Sequence, residues 1–321
     1  MRGLRFGIID GSAQGFEAFT YPRYRGLLLG TEHAQFIHER IALGAWRNER
    51  PVGLAFLSRP FSAVSAQSLS SGGAADQRQL LSIMVSSLLR RCGIGSQLLT
   101  RAEQLAQASG TAHLSARHSS RLSDRTAFEA CLARCHWARP AAIDFRLAGR
   151  ARWALQAQID WAPFLARLTT RGFICTSWAD LTDDDRAQVK HLVDNVLPEA
   201  DRQFDPFSPQ NRIEPLPALS IMIRLHGRIV GWIQGSRGAM PDSFHYSYGY
   251  ALPEVQRLGC LVAGVRDVCQ RQAQLYGDTS LCVLETAYAN APMRRFMERQ
   301  LVPYSDWTDY RYLSEKQLTK A

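Results

Sequence analysis

Two stretches of this chain, 166 residues apart, run through the same features in the same order, and no single motif restricts the fold as much as that repeat does. The segment "VSSLLRRCGIGSQLLTRAEQL", Val85 to Leu105, has its counterpart in "ALPEVQRLGCL", Ala251 to Leu261, and an amphipathic helical pattern follows each. Gly93 pairs with Gly259 (259 − 93 = 166), and Asp124 of "DRTAFEACLARCHW" pairs with Asn290 of "NAPMRRFMERQLVPYSDW" (290 − 124 = 166). The closing "DFRLA" and "DYRYLS" align at 309 − 144 = 165. Upstream, Arg40 to Ser58 reads as two apolar strands around the turn residues Asn48 to Pro51, and Ala218 to Gly235 has the same shape around His226-Gly227-Arg228. The hairpins are offset by 230 − 52 = 178, so the first copy holds 178 − 166 = 12 extra residues before its glycine strand. They fall in Ser58 to Gln79, whose Ser/Ala/Gly-rich composition is expected to form a mobile loop or lid.

A length of 321 residues suits two such units, expected at 1–150 and 172–321. Between them, 151–171 carries Trp153, Trp161, Phe164, Leu165 and Leu168, enough apolar surface for a packed connecting helix rather than a loose linker. The second unit opens with a strand and a helix that Thr182 can cap, with Asp183 to Asp185 at its positive end and Pro198 beyond it as a stop.

The formal charge of +9 calls for an anionic partner, such as a phosphorylated cofactor or an acidic carrier protein. Its basic residues are scattered and accompany no nucleic-acid motif, so no nucleic-acid partner is expected. The seven cysteines form neither a Cys-x-x-Cys pair nor a Cys/His metal spacing, which points to a reducing cytoplasm and no metal. No 18-residue apolar run and no secretion signal in Met1 to Asp10 is present, so no membrane association is expected.

What the glycine turn holds follows from helix physics. A strand that gives way to a glycine turn and a helix leaves backbone N–H groups without intrahelical acceptors at the positive end of the helix dipole. Such a place suits a phosphate, glycines let the backbone approach it, and Arg90 and Arg91 add charge. There is no Gly-Lys-Ser/Thr, and Leu98 stands where a dinucleotide fold needs a third glycine.

The register Val85, Arg90, Gly93, Gly95 instead resembles the pyrophosphate-binding motif of the GNAT superfamily of acyl-CoA-dependent N-acyltransferases, and the order of elements around it covers most of one such unit. The second half resembles the same family in its Pro-Glu-x-x-Gln turn and its late Asn-x-x-Met helix, and the tandem arrangement is similar in architecture to mycothiol synthase. The resemblance implies an α/β fold of two tandem GNAT-like units, each a mixed, mostly antiparallel sheet with flanking helices. It implies acetyl-CoA, or another acyl-CoA, as co-substrate and direct transfer to a small amine. An acyl carrier protein as donor or acceptor, and a non-catalytic coenzyme-A-binding module, are the alternatives. Carried onto this sequence, the strand residues Ile83, Met84 and Val85 pair with pantetheine, and the turn Arg90, Arg91, Cys92, Gly93, Ile94, Gly95 and Ser96 holds the pyrophosphate, with the amides of Arg91 to Ser96 in contact.

Both units depart from the family at its late-helix tyrosine, the expected acid for the leaving thiolate. Cys131 or Leu132 stands there in the first unit, of which only Cys131 can donate a proton, and Met297 stands there in the second. Candidate bases are His113 and His118 in the first unit. The second offers His245, Tyr246, Tyr248, Glu285 and Tyr288, with Glu285 and Tyr288 the leading catalytic candidates. Leu261 replaces the second small residue of the second turn, where its branched side chain is expected to crowd a phosphate, so the first unit is expected to hold the cofactor. Glu199, Asp201 and Asp205, in the segment 198–215, are placed to attract a cationic amine.

Overall fold

The computed structural model describes residues 3–9, 14–31, 39–60, 77–208, 214–238 and 240–318. Most of the Ser/Ala/Gly-rich segment read as a lid lies outside the described residues. The chain divides into two compact units, Met1–Ile143 with Tyr310–Ala321, and Asp144–Asp309.

In the first unit, β1 (Leu4–Ile8), β2 (Ile41–Arg47), β3 (Arg50–Leu57) and β4 (Gln77–Val85) form an antiparallel meander. The β2–β3 turn is two residues long because Asn48 and Glu49 both take positive φ, the conformation that matches strand twist. β5 (His113–Ser119) runs parallel to β4, and the last strand, β12 (Trp307–Gln317), pairs antiparallel with β5 from Arg311 to Gln317. Helices α2 (Ile94–Ala108) and α3 (Arg125–Arg134) cover one face through Leu98, Leu99, Ala102 and Leu132, packed on Leu43, Leu57, Leu80 and Leu114. The opposite face is closed by Phe16 and by Leu28 of α1 (Pro22–Leu29), against Leu54 and Phe56. A buried ion pair fastens the last strand: Lys316 on β12 donates to Glu103 of α2, which also accepts from the Trp137 indole at 2.6 Å.

In the second unit, β7 (Phe173–Ser177), β8 (Ile221–Leu225), β9 (Arg228–Arg237) and β10 (Ser243–Ala251) repeat the meander, with His226 and Gly227 at positive φ in the β8–β9 turn. β11 (Leu281–Ala287) is parallel to β10, and β6 (Ala141–Arg150) lies antiparallel to β11. Helix α4 (Trp153–Thr170) belongs to this unit, as do α5 (Asp183–Asn195), the single turn α6 (Pro253–Gln256), α7 (Cys260–Tyr276) and α8 (Ala291–Phe296). Thr182 and Asp185 make the expected reciprocal cap at the start of α5, both at 3.2 Å.

The same strand sequence therefore builds both sheets, but each sheet is completed by the closing strand of the other copy. The "DFRLA" residues of the first copy pair with β11, and the "DYRYLS" residues of the second pair with β5. The boundaries expected at 150 and 172 shift accordingly: 144–150 and α4 lie with the second unit, and 310–321 with the first. The two strands have nearly the same sequence pattern, which marks each as a strand without marking the sheet it joins.

Candidate functional site: two related clefts

In both units the parallel pair of strands parts at the same place. β4 and β5 pair from Gln77/His113 to Leu80/Ala116 and then separate, while β4 stays bonded to β3 as far as Val85. The β3–β4 register skips at Leu81, and the β9–β10 register skips at Ser247, an offset of 247 − 81 = 166. β10 and β11 likewise pair only from Ser243/Leu281 to Tyr246/Leu284. A bulge turns the strand away from its neighbour, so Ile83, Met84 and Val85 present one backbone edge to an opening rather than to β5.

Past that opening the first turn leaves a run of its amides unspent. The short helical turn Ser87–Leu89 leads to Arg91 at φ +61° and Gly93 at φ +78°, and the first intrahelical bond of α2 runs from the Gln97 N–H to the Gly93 carbonyl at 3.0 Å. Among the described residues, the amides of Arg91, Cys92, Gly93, Ile94, Gly95 and Ser96 ahead of it meet no backbone acceptor. A Cβ built on Gly93 finds nothing nearer than Gln97 at 4.0 Å, so the space in front of those amides is open. Arg90 plays a part that spacing did not suggest. Its Nε donates to the Val85 carbonyl at 3.3 Å and its Nη1 to Asp124 at 3.0 Å, so the guanidinium braces the turn against the end of β4. Gln256, its counterpart, donates to the Ala251 carbonyl at 3.0 Å, the same bond at the same offset.

The second turn keeps the glycine, at φ +76°, and loses the opening. There the amides of Leu258 and Gly259 donate to Val255 and Gln256, and that of Val262 to Gly259, so three of the corresponding donors are used within the turn. The Phe164 ring of α4 stands 2.7 Å from where a Gly259 Cβ would be. Leu261 turns its side chain toward Gly249 of β10.

The candidate catalytic side chains fall into separate units. Cys131, in the first, lies on α3 with its Sγ 3.9 Å from the Ser96 hydroxyl and 3.6 Å from where a Gly95 Cβ would stand, at the foot of the turn. Its hydrogen bond to Cys135 and its burial push the thiol well above the ordinary range, so it holds its proton. Glu285 and Tyr288 lie in the second unit. Glu285 faces His245 at 3.8 Å and Arg146 at 4.0 Å, and Arg146 also bonds the buried Asp309. The Tyr288 ring lies under the Arg294 guanidinium, 4.2 Å away. Met297 is buried where α8 gives way to the wider turn Met297–Leu301. Asp201 accepts from the Tyr250 hydroxyl at 2.9 Å in the short helix Glu199–Phe204.

His118 is better placed than its spacing alone indicates. It sits on β5 beyond the last β4–β5 pair, its side chain only 3% exposed, between the rings of Phe128 and Tyr312. Its Nε2 lies 2.9 Å from Glu129, whose carboxylate also accepts from Arg125 at 2.6 Å. The Arg125 and His118 bonds outweigh burial and lower the Glu129 pKa. An ionised carboxylate only accepts, so Nε2 carries the proton. Nδ1 is buried and has no hydrogen-bond partner among the described residues.

Both units thus share one arrangement, a parallel strand pair that parts at a bulge and leads into a glycine turn at a helix start. Residues 13–127 match the model of the acetyltransferase (GNAT) family, a match that lies within the first unit. The whole chain has a tandem GNAT fold. It is similar to a tandem GNAT protein from the clavulanic acid biosynthesis pathway, at 13% identity and TM-score 0.54 over 98% of both chains. It is similar also to a GCN5-related N-acetyltransferase from Sphaerobacter thermophilus, at 14% identity and TM-score 0.56 over 99% of this chain and 96% of that one. No curated protein sequence matches. Acetyl-CoA is the co-substrate of the family, and among the described residues no helix is long and apolar enough to cross a membrane.

Proposed function

We propose that the first unit binds acetyl-CoA and transfers its acyl group directly to a small amine. The observation that carries this reading is the run of amides from Arg91 to Ser96, open in front and without backbone acceptors. Six donors at the positive end of a helix suit a pyrophosphate, and charge-assisted bonds contribute on the order of 1.5–3 kcal/mol each. The free edge of Ile83, Met84 and Val85 is where the pantetheine amides pair, bringing the thioester into the opening between β4 and β5.

In this reading His118 takes the proton of the attacking amine at Nδ1, while Glu129 fixes the tautomer and balances the charge that develops. The new C–N bond forms as the C–S bond breaks, and coenzyme A leaves as thiolate. Cys131, a thiol that gives up its proton reluctantly, packs the foot of the turn and is a poor acid for that thiolate. Glu285 and Tyr288 belong to the polar cleft of the second unit, whose closed turn does not take coenzyme A in this reading.

Isothermal titration of the whole protein with acetyl-CoA tests the assignment: one equivalent is expected to bind, and Gly93→Trp to abolish it. No binding by the wild-type protein sinks the reading.

A further inference from the structure

The positive charge of the protein is confined to one unit. Residues 1–143 and 310–321 hold 20 Lys and Arg against 10 Asp and Glu, a net +10, whereas 144–309 hold 18 against 19, a net −1. The phosphates of one coenzyme A are met by the turn amides and a few cations, and they leave most of that excess uncompensated. The rim of the turn has a second peculiarity. Leu88, on the short helical turn that feeds the cradle, is 91% exposed, the most exposed large apolar side chain among the described residues, with Arg90, Arg91 and Cys92 following it at the surface. Arg23 of α1 adds charge in the same unit: its guanidinium lies over the rings of Tyr21 and Tyr24.

We propose that this rim is a docking surface for an acidic carrier protein that delivers the acyl group on a phosphopantetheine arm. The proposal rests on the reading of the first turn as a pantetheine-phosphate site and adds a second source for the same arm. A carrier-borne arm has the same thioester, the same amides and one phosphate, but its phosphate is anchored to a protein, which must sit against the mouth of the cleft. Free coenzyme A gives a bare leucine at that mouth no function, whereas an exposed apolar side chain followed by two exposed arginines is what a protein partner of opposite charge needs. A nucleic acid would use the charge and not Leu88.

The test measures binding of three probes to the whole protein by titration: acetyl-CoA, an acidic acyl carrier protein bearing an acetylated phosphopantetheine arm, and the same carrier without the arm. The loaded carrier is expected to bind and to weaken about tenfold between roughly 50 and 300 mM salt. Leu88→Asp and Arg23→Glu are expected to weaken the carrier at least about tenfold while changing acetyl-CoA affinity less than about twofold. Acetyl-CoA binding without carrier binding overturns the docking surface and leaves the turn assignment standing. Carrier binding through Leu88 without acetyl-CoA binding does the reverse. Equal loss of both ligands in Leu88→Asp overturns the proposal, as does tighter binding of duplex DNA that is indifferent to Leu88.

Discussion

The two glycine turns have the same glycine at the same positive φ, the same side-chain bond back to the preceding strand, and the same bulge upstream, yet only one is open. What they share is what the fold needs: a left-handed residue to turn the chain into a helix and a brace to hold it. What separates them is what an anion needs, namely unspent amides and room in front. In the second turn three amides bond within the turn and Phe164 fills the space. A repeat can thus keep its architecture while the surroundings of its two turns diverge.

The largest expected effect comes from treating the two glycines differently. Gly93→Trp has space for its side chain, so melting should shift by only about 1–3 kcal/mol of strain from the positive φ, while acetyl-CoA affinity falls more than about 100-fold. Gly259→Ala drives a Cβ into Phe164 and should destabilise by about 1–3 kcal/mol with acetyl-CoA affinity unchanged. Titration and thermal melts of both variants decide it, and the opposite pattern would move the working turn to the second unit.

His118→Gln is next. With an accepted amine, thiol release from acetyl-CoA should drop about 100-fold in kcat with little change in KM for acetyl-CoA. Glu129→Gln should cost less and alter the alkaline and acid limbs of the pH profile, because it changes what holds Nε2. An unchanged rate in His118→Gln would leave the first cleft without its base.

Reopening the closed turn sharpens the comparison further. Phe164→Ala combined with Leu261→Gly should raise the acetyl-CoA stoichiometry from one toward two, the second equivalent binding at least about tenfold more weakly. If it stays at one, the internal bonds of Leu258, Gly259 and Val262 are the stronger barrier.

Acid should expose the smallest difference. Glu129 in the first unit and Asp185 in the second both have lowered pKa values: burial opposes the shift in each, and the Arg125 and His118 bonds overcome it in one, the Arg224 and Thr182 bonds in the other. Their contributions are complete above the ordinary carboxylate range and are lost as pH falls through the lower, folded-state values. Thermal melts from about pH 6 down to pH 3 should therefore fall less steeply in Glu129→Gln and Asp185→Asn than in the wild type, by about 1 kcal/mol or less each. Parallel curves would remove both carboxylates from the acid response.

The repeat, both hairpins, the first turn and the capped helix were legible in the sequence because each is set by local chemistry: glycines at fixed offsets, alternating apolar residues, Thr182 ahead of three acids. The strand exchange was not. "DFRLA" and "DYRYLS" alternate alike, and alternation gives a strand its face without saying which sheet it joins. The surroundings of the second turn were not legible: Leu261, expected to crowd it, turns toward Gly249, and Phe164 arrives from a helix 95 residues upstream of Gly259 (259 − 164 = 95). Arg90 read as a phosphate ligand because charge beside a glycine turn suggests one. Its pairing with Gln256 held the better signal, since the property the two side chains share is an N–H donor rather than a charge.

The exchanged strand also sets an order of events during synthesis. The first unit is translated first but is completed last, because Tyr310 to Leu318, with the Lys316 anchor to Glu103, leaves the ribosome only after the whole second unit has been made. The open edge of β5 must wait through that interval, and the strand beside the proposed acetyl-CoA cleft is added only after the second unit has been made. A released chain that stops at residue 309 would therefore keep the residues of the second unit and leave the first unit without the strand that pairs with β5.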